Sequence, residues 1–175
     1  MQIGDVVPEW DVTGWVGGDA STLREQRGRV IVVHTFQMLC PGCIYRGIPQ
    51  AIELSRRVDP ADVSVIGLHT VFEHHEAMTE GNLRVFLSEL RVPFPVGIDR
   101  HDAQLQTPAT MRAWGLRGTP STVVIDREGR LAHAGFGTED DMSLALRVGR
   151  LLEPASGCAA DLCVASEPRM MGEHQ

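Results

Sequence analysis

Lysine is absent from this chain of 175 residues, and all 16 of its basic residues are arginines. A mechanism that forms a Schiff base on lysine is therefore excluded, and so is a Walker-type phosphate loop, because both need the lysine amine. The 43% of hydrophobic residues is enough for one globular domain with a core of its own.

An excess of positive charge and long apolar runs are missing as well. The formal net charge is -7, so we expect no polyanion-binding surface and no nucleic acid partner. No stretch is apolar for long enough to cross a bilayer, so we expect no membrane span. The start, residues 1–5, has neither a charged leader nor an apolar signal core. As given, the chain is expected to be cytoplasmic, and periplasmic if a leader has been removed.

Cysteine is scarce too, and its four copies form two close pairs. Four thiols are too few for a disulfide scaffold in a chain of this length, so the pairs indicate local redox switching or metal capture. The first pair stands in the motif CPGC at 40–43, which follows the apolar run at 30–33.

This CPGC motif falls where a strand is followed by a helix. Unpaired amides and the positive end of the helix dipole favour an ionised sulfur on Cys40, and Cys43 lies one turn inside, where it can attack a mixed disulfide. Pro41 suits the first helical turn, where its missing N–H has no partner to lose. The spacing also fits half of a zinc site. No second close Cys/Cys or Cys/His pair follows within the next few dozen residues, so redox chemistry is favoured over zinc.

The order of elements along the chain predicts an α/β fold. Buried strands are expected at 30–36 and 63–70, and the helix between them is disturbed by Gly47 and Pro49. Strand, helix, strand implies a parallel pair with a right-handed crossover. The turn residues at 126–129 predict an antiparallel hairpin. The other predicted elements are a helix at 77–91, a strand at 94–98, a short helix at 107–114, hairpin strands at 121–125 and 131–136, and a last helix at 140–152.

Two motifs together make the sequence similar to a known family. The CxxC follows the first core strand and the tripeptide GTP at 118–120 precedes the hairpin, which resembles the thioredoxin fold. More narrowly, IGDVVP at 3–8 and WGLRGTPS at 114–121 resemble the TlpA-like, redoxin (AhpC/TSA-related) branch. The resemblance spans 3–152. It implies a thioredoxin-like central mixed sheet with a parallel βαβ half, a C-terminal antiparallel hairpin and helices on both faces.

The resemblance also implies roles for residues around the motif. The family's proline before the hairpin is cis and lies against the active-site disulfide, which makes Pro120 the expected cis residue. Thr119 would then offer backbone groups to an extended substrate chain, beside Pro41 and Gly42. Leu39 stands where many relatives have tryptophan, so the surface beside the first cysteine is expected to be apolar but less bulky.

His34 is a departure from the family pattern. Thioredoxins commonly keep a buried aspartate at this offset before the first cysteine, where it assists proton transfer at the second. Strand alternation places the imidazole on the same face as Val32 and Phe36. It could take the proton from Cys43 and later return it. The alternative is a core histidine that is hydrogen-bonded to backbone.

These residues predict a thiol-disulfide oxidoreductase in which Cys40 attacks a substrate disulfide and Cys43 resolves the mixed disulfide, with no cofactor. Its expected partners are protein or small-molecule disulfides and an electron-donor thiol. The first alternative is a thiol-dependent peroxidase of the peroxiredoxin type. That family's Pro-x-x-x-Thr-x-x-Cys pattern would need proline and threonine at the positions of Val33 and Gln37, so the hydroxyl that orients peroxide is missing.

A soft-metal-binding redox protein is a further alternative, and one polar cluster bears on metal binding in general. The cluster consists of His69, Glu73, His74, His75 and Glu76. The adjacent His74 and His75 cannot share one face of a helix, and acidic residues before a helix are expected from its dipole. A polar loop beside the active site is therefore favoured over a metal site.

The composition changes after Pro154 to alanine, serine, glycine and charged residues. We therefore expect a thioredoxin-like redoxin domain at 1–153 and a C-terminal tail at 154–175 that carries the second pair, Cys158 and Cys163. This pair could act as a relay disulfide that exchanges with the CPGC motif at high effective concentration. It could instead collect a soft metal with Met170, Met171 and His174, or be structural or incidental.

Overall fold

The computed structural model of the chain describes residues 1–19, 21–102 and 104–153. The predicted tail at 154–175, with Cys158 and Cys163, lies outside the described residues. None of the described helices has both the length and the apolar content that crossing a bilayer requires. The elements are β1 (Val12–Val16), β2 (Val30–Phe36), a π-helical turn (Cys43–Gly47), α1 (Ile48–Arg57), β3 (Val63–His69), α2 (Glu80–Glu89), β4 (Val96–Asp99), α3 (Ala109–Trp114), β5 (Ser121–Ile125), β6 (Leu131–Phe136) and α4 (Asp141–Leu152).

The strands form one mixed sheet in the order β1-β4-β3-β2-β5-β6. Strand β2 lies between β3 and β5, and all seven of its residues are buried, which explains an apolar run without polar alternation. Strands β2 and β3 are parallel, with Val30 opposite Val63 and Phe36 opposite His69. Strands β5 and β6 are antiparallel. The predicted thioredoxin-like sheet, with its parallel half and its hairpin, is confirmed.

Each face of the sheet carries an apolar core. The core under α1, α2 and α4 contains Val32, Phe36 and the sulfur-bearing Cys43. The core on the other face packs under α3 and the N-terminal segment, and it contains Ile31 and Trp114. Alternate residues of β2 therefore contribute to both cores, which fixes this strand and the CPGC motif at its carboxyl end.

The helix that follows the CPGC motif is interrupted, as Gly47 and Pro49 predict. The backbone is already helical at Pro41, and the π-helical turn then runs to Gly47. The Ile48 N–H donates to the Cys43 carbonyl, five residues back, which is the spacing of a π turn. Pro49 lies in the first turn of α1, where its missing N–H costs nothing.

Several predicted boundaries differ from the structure by one to three residues, and two of them have clear local reasons. Helix α2 begins at Glu80 rather than at residue 77, because the Thr79 hydroxyl accepts the Asn82 N–H at 3.3 Å and caps the helix there. Strand β4 begins at Val96 rather than at residue 94. Pro95 immediately precedes it and has no N–H to offer a neighbouring strand.

Candidate active site

The CPGC motif places two free thiols at the carboxyl end of β2. The Sγ atoms of Cys40 and Cys43 lie 2.6 Å apart. The Cys43 N–H donates to the Cys40 Sγ at 3.3 Å, so the first turn of the helix points a backbone donor at the outer sulfur. Cys40 is half-buried and Cys43 is fully buried. Of these two sulfurs, only that of Cys40 is open to solvent, and that of Cys43 lies on its inner side.

Burial has a chemical effect on the inner cysteine. It raises the pKa of the Cys43 thiol to about 12, and the adjacent Cys40 thiol adds to the rise. The Cys43 thiol is therefore protonated at neutral pH. Because thiolate is the attacking form, any attack by Cys43 requires a group that takes its proton.

The loop before β5 lies against the motif. The Thr119–Pro120 peptide bond is cis, as the resemblance implies. The Cys40 Sγ lies 3.6 Å from the Thr119 carbonyl oxygen, and a Cβ added at Gly42 would come within 3.2 Å of the Pro120 ring. Thr119 is half-buried and Pro41 is exposed. The predicted site residues Pro41, Gly42, Thr119 and Pro120 therefore surround the outer sulfur.

Hydrogen bonds to β2 hold this loop in position. The Ser121 N–H donates to the Thr35 hydroxyl at 3.1 Å, and that hydroxyl lies 3.3 Å from the Ser121 carbonyl oxygen. The Ser121 hydroxyl donates to the Gly118 carbonyl at 2.7 Å. These residues are buried, so water does not compete for the bonds.

His34 lies in the core beneath the π-helical turn. It is 3% exposed and pairs with Gly67 on one side and Thr122 on the other. Its ring packs against Gly47: a Cβ added there would lie 2.2 Å from the imidazole Nε2 and 3.2 Å from the Cβ of Pro120. Burial lowers the pKa of His34 to about 4, so the imidazole is neutral at pH 7.

The contacts of His34 bear on its two predicted roles, proton acceptor and core histidine hydrogen-bonded to backbone. The imidazole Nε2 is buried and has no hydrogen-bond partner among the described residues. A purely structural core histidine would normally have both ring nitrogens satisfied. The buried Nε2 of His69 has no partner among the described residues either, so the role of His34 as proton acceptor stays a prediction.

Two residues near the sulfurs, Gln37 and Gly47, were not among the site residues predicted from the sequence. The Gln37 carbonyl accepts the Cys40 N–H at 3.2 Å, and its side-chain oxygen accepts the Phe72 N–H at 3.2 Å. Gln37 thus ties the motif to the loop after β3. The second is Gly47, which the sequence marks only as a helix disturbance. One feature of the sequence could have indicated the contact of Gly47 with β2. Gly47 lies four residues after Cys43, on the helix face that meets this strand.

The polar cluster after β3 does not converge on one point. His69 is buried against Phe36, with ring centroids 5.4 Å apart, and burial lowers its pKa to about 4. Glu73 accepts from Gln37, and His75 packs against His101 instead. Within 1–19, 21–102 and 104–153, no three His, Cys, Asp or Glu side chains are placed to hold a metal ion.

Leu39 has the exposed position that the sequence predicts for it, with 56% of its surface accessible beside Cys40. A second exposed apolar side chain, Phe136 at the end of β6, was not among the predicted site residues. Phe136 pairs with Ser121, and the Gly137 N–H donates to the Pro120 carbonyl at 2.8 Å. The hairpin therefore brings Phe136 to the loop that faces the sulfurs.

The chain is similar to a known protein family and to solved structures. The sequence model of the family described as Redoxin matches residues 2–146. No curated protein matches the sequence. Among solved structures, a thioredoxin-like superfamily protein is 42% identical, with a TM-score of 0.83, and the match covers 88% of this chain and 99% of that one.

Two further solved structures are similar. A thiol-disulfide isomerase from Corynebacterium glutamicum is 44% identical, with a TM-score of 0.82, and the match covers 85% of this chain and 96% of that one. The thioredoxin domain of a thiol-disulfide oxidoreductase from Bacteroides vulgatus is 14% identical, with a TM-score of 0.68 and coverage of 87% and 99%. At that identity the last match shows the fold alone.

Proposed function

This chain belongs to the Redoxin family and is a thiol-disulfide oxidoreductase, and on that premise we propose that Cys40 is its attacking sulfur and Cys43 its resolving sulfur. The observation that carries the assignment is the difference in burial between two sulfurs 2.6 Å apart. Of the two described cysteines, the half-buried Cys40 is open to a substrate, and the buried Cys43 is close enough to displace that substrate from it.

The reaction has two exchanges. The Cys40 thiolate attacks one sulfur of the substrate disulfide, so a Cys40–substrate bond forms, the substrate bond breaks and the first substrate thiolate leaves. Cys43 then loses its proton and attacks the Cys40 sulfur, which releases the second substrate thiolate. The protein dithiol has given up two electrons and the substrate has gained them. An electron-donor thiol restores the dithiol by the reverse exchanges.

His34 is the proposed acceptor of the Cys43 proton. It is neutral at pH 7 and has a free Nε2 beneath the π-helical turn, and both features support this role. An isolated buried imidazole binds a proton weakly. The proton transfer is therefore coupled to formation of the Cys40–Cys43 bond, which consumes the Cys43 thiolate as it forms. Because the imidazole is neutral at pH 7, it gives up that proton once the disulfide has formed, and it passes a proton back to Cys43 when the disulfide is reduced.

Protein disulfides are the substrate class that we propose. The 44% identical relative from C. glutamicum is named a thiol-disulfide isomerase, a name that refers to disulfide exchange. The surface around Cys40 fits an extended chain, since the Thr119 backbone and the apolar Leu39 lie beside the sulfur. Small-molecule disulfides are expected to react more slowly, because they use fewer of these contacts.

The test is the reduction of insulin by dithiothreitol, with Cys158→Ser and Cys163→Ser in every variant so that only the CPGC thiols report. Cys40→Ser is expected to abolish the catalysed rate. In a separate incubation with insulin after removal of dithiothreitol, which would otherwise cleave the adduct, the reduced Cys43→Ser variant is expected to accumulate a mixed disulfide on Cys40, detected by mass spectrometry. Full activity of the Cys40→Ser variant, or an adduct on Cys43 in that variant, would contradict the assignment.

A further inference from the structure

Phe136 covers the segment that leads to the active-site loop. Its ring packs over Gly118: a Cβ added at Gly118 would lie 2.8 Å from the Phe136 Cε2, so only glycine leaves room for the ring. Phe136 is nevertheless 54% exposed. One face of the ring is therefore held against the backbone before Thr119, and the rest is open to solvent.

Arg117 adds a positive charge at the same place. Its guanidinium carbon lies 5.3 Å from the centroid of the Phe136 ring, within the range of a cation–π contact. Arg117 is exposed, and no carboxylate among the described residues forms an ion pair with it. Six other described arginines form such pairs and eight do not, so what distinguishes Arg117 is its position beside Phe136 and Thr119.

This aromatic and basic pair adjoins the reacting sulfur. Arg117 precedes Gly118 and Thr119, and the Thr119 carbonyl lies 3.6 Å from the Cys40 Sγ. A chain that extends along Thr119 advances about 3.3 Å per residue. A substrate residue two positions from the reacting cysteine would therefore lie about 7 Å further along, beside Arg117 and Phe136.

We propose that Phe136 and Arg117 form a specificity edge that favours protein disulfides with a carboxylate side chain two residues from the reacting cysteine. The proposal rests on the assignment of Cys40 as the attacking sulfur. The chain carries a net charge of -7 and so repels acidic partners on average. Arg117, which has no carboxylate partner among the described residues and lies near the sulfur, attracts an acidic substrate segment locally.

The experiment measures the second-order rate constant at which the reduced enzyme is oxidised by short blocked peptides. Each peptide has one cysteine in mixed disulfide with 2-mercaptoethanol and carries Glu, Gln or Lys two residues before or after it. All proteins carry Cys158→Ser and Cys163→Ser. We expect the Glu peptide to react about two- to fivefold faster than the Gln peptide, the range of an exposed ion pair, and the Lys peptide to react more slowly. High salt should reduce the difference.

Variants test whether the preference for Glu depends on Arg117 itself or on any exposed arginine of the protein. Arg117→Gln should remove the preference for Glu, and Arg117→Glu should transfer it to the Lys peptide. The matched control is Arg56→Gln, which removes an exposed arginine near the opposite end of α1 and should leave the preference intact. Phe136→Leu, which keeps an apolar side chain, should slow all three peptides by a similar factor. Reaction with hydroxyethyl disulfide should be unchanged in each Arg117 variant.

Two results would overturn the specificity edge: equal rates for Glu and Gln peptides in the parent protein, or the same loss of preference in Arg56→Gln as in Arg117→Gln. Neither would affect the assignment of Cys40, because hydroxyethyl disulfide has no charge and still reports the exchange. Loss of that reaction in Cys40→Ser alone keeps the two conclusions distinguishable.

Discussion

Replacement of Gly47 by alanine tests the arrangement of the imidazole beneath the active-site turn. A methyl group at this position would lie 2.2 Å from the His34 Nε2 and 2.4 Å from its Cε1. Carbon atoms pack at about 3.5–4.0 Å, so the ring would have to retreat by more than about 1 Å. His34 lies in a buried strand paired on both sides, which leaves it little freedom to do so.

The expected loss of stability follows from this overlap. Overpacking a core by one methyl group costs roughly 1–3 kcal/mol of unfolding free energy. Replacing glycine in a helix with alanine returns about 0.5–1 kcal/mol. The net loss for Gly47→Ala is therefore expected to lie between about 0 and 2.5 kcal/mol, measured by urea denaturation at pH 7.

The control for this substitution is Gly149→Ala. Gly149 lies on the exposed face of α4, and a Cβ there would meet no atom within 4 Å. This variant should gain about 0.5–1 kcal/mol of unfolding free energy, from the higher helix propensity of alanine alone. Adding His34→Ala to Gly47→Ala should relieve the overlap, so the two losses should not add.

Displacement of the imidazole should also slow catalysis. If His34 accepts the Cys43 proton, a shift of about 1 Å should slow resolution of the mixed disulfide by tenfold or more, while its formation on Cys40 stays near the parent rate. Rapid quenching followed by mass spectrometry separates the two steps. The reasoning is refuted if Gly47→Ala is as stable as Gly149→Ala and resolves mixed disulfides at the parent rate.

Two further predictions concern pH and the tail. Burial lowers the pKa of both His34 and His69 to about 4, so the unfolded chain binds protons first as pH falls from 6.5 to 4, and stability should be lost across that window. By pH 5 the loss should be about 2 kcal/mol for each imidazole, and His69→Gln should flatten the dependence measured by urea denaturation; equal stability at pH 7 and pH 5 would be inconsistent with it. For the tail, a relay predicts that mass spectrometry of the oxidised, digested protein finds a Cys158–Cys163 bridge that exchanges with Cys40. Free thiols that do not exchange would argue against the relay.

The strands could be predicted well because their signals are local. The runs that became β2, β5 and β6 have the predicted boundaries, since buried apolar stretches end at turn residues such as Asp126 and Gly129. The CxxC and GTP motifs could also be placed together, because the resemblance fixes their positions on the sheet. The start of α2 could not, since the apolar spacing begins only at Leu83 and the first turn is fixed by the Thr79 cap.

The rest of the site depends on contacts between distant parts of the chain. No local pattern relates His34 to Gly47, which the sequence marks only as a break in a helix. Arg117 and Phe136 are separated by the whole of the hairpin, and only its pairing brings the ring under the guanidinium. Gln37 could be recognised as the absence of a peroxidase threonine, but its bond to Phe72 depends on how the loop after β3 packs.

The complete burial of Cys43 has a kinetic consequence. Because no thiol from solution can reach that sulfur, resolution of a mixed disulfide by Cys43 takes place inside the same molecule and is first-order. A free thiol releases the partner only by the other route, direct attack on the mixed disulfide at the half-buried Cys40, and the rate of that route rises with the thiol concentration. An alkylating reagent that reacts with Cys40 likewise inactivates the dithiol with one adduct. Cys40 alone therefore determines how sensitive the pair is to such reagents.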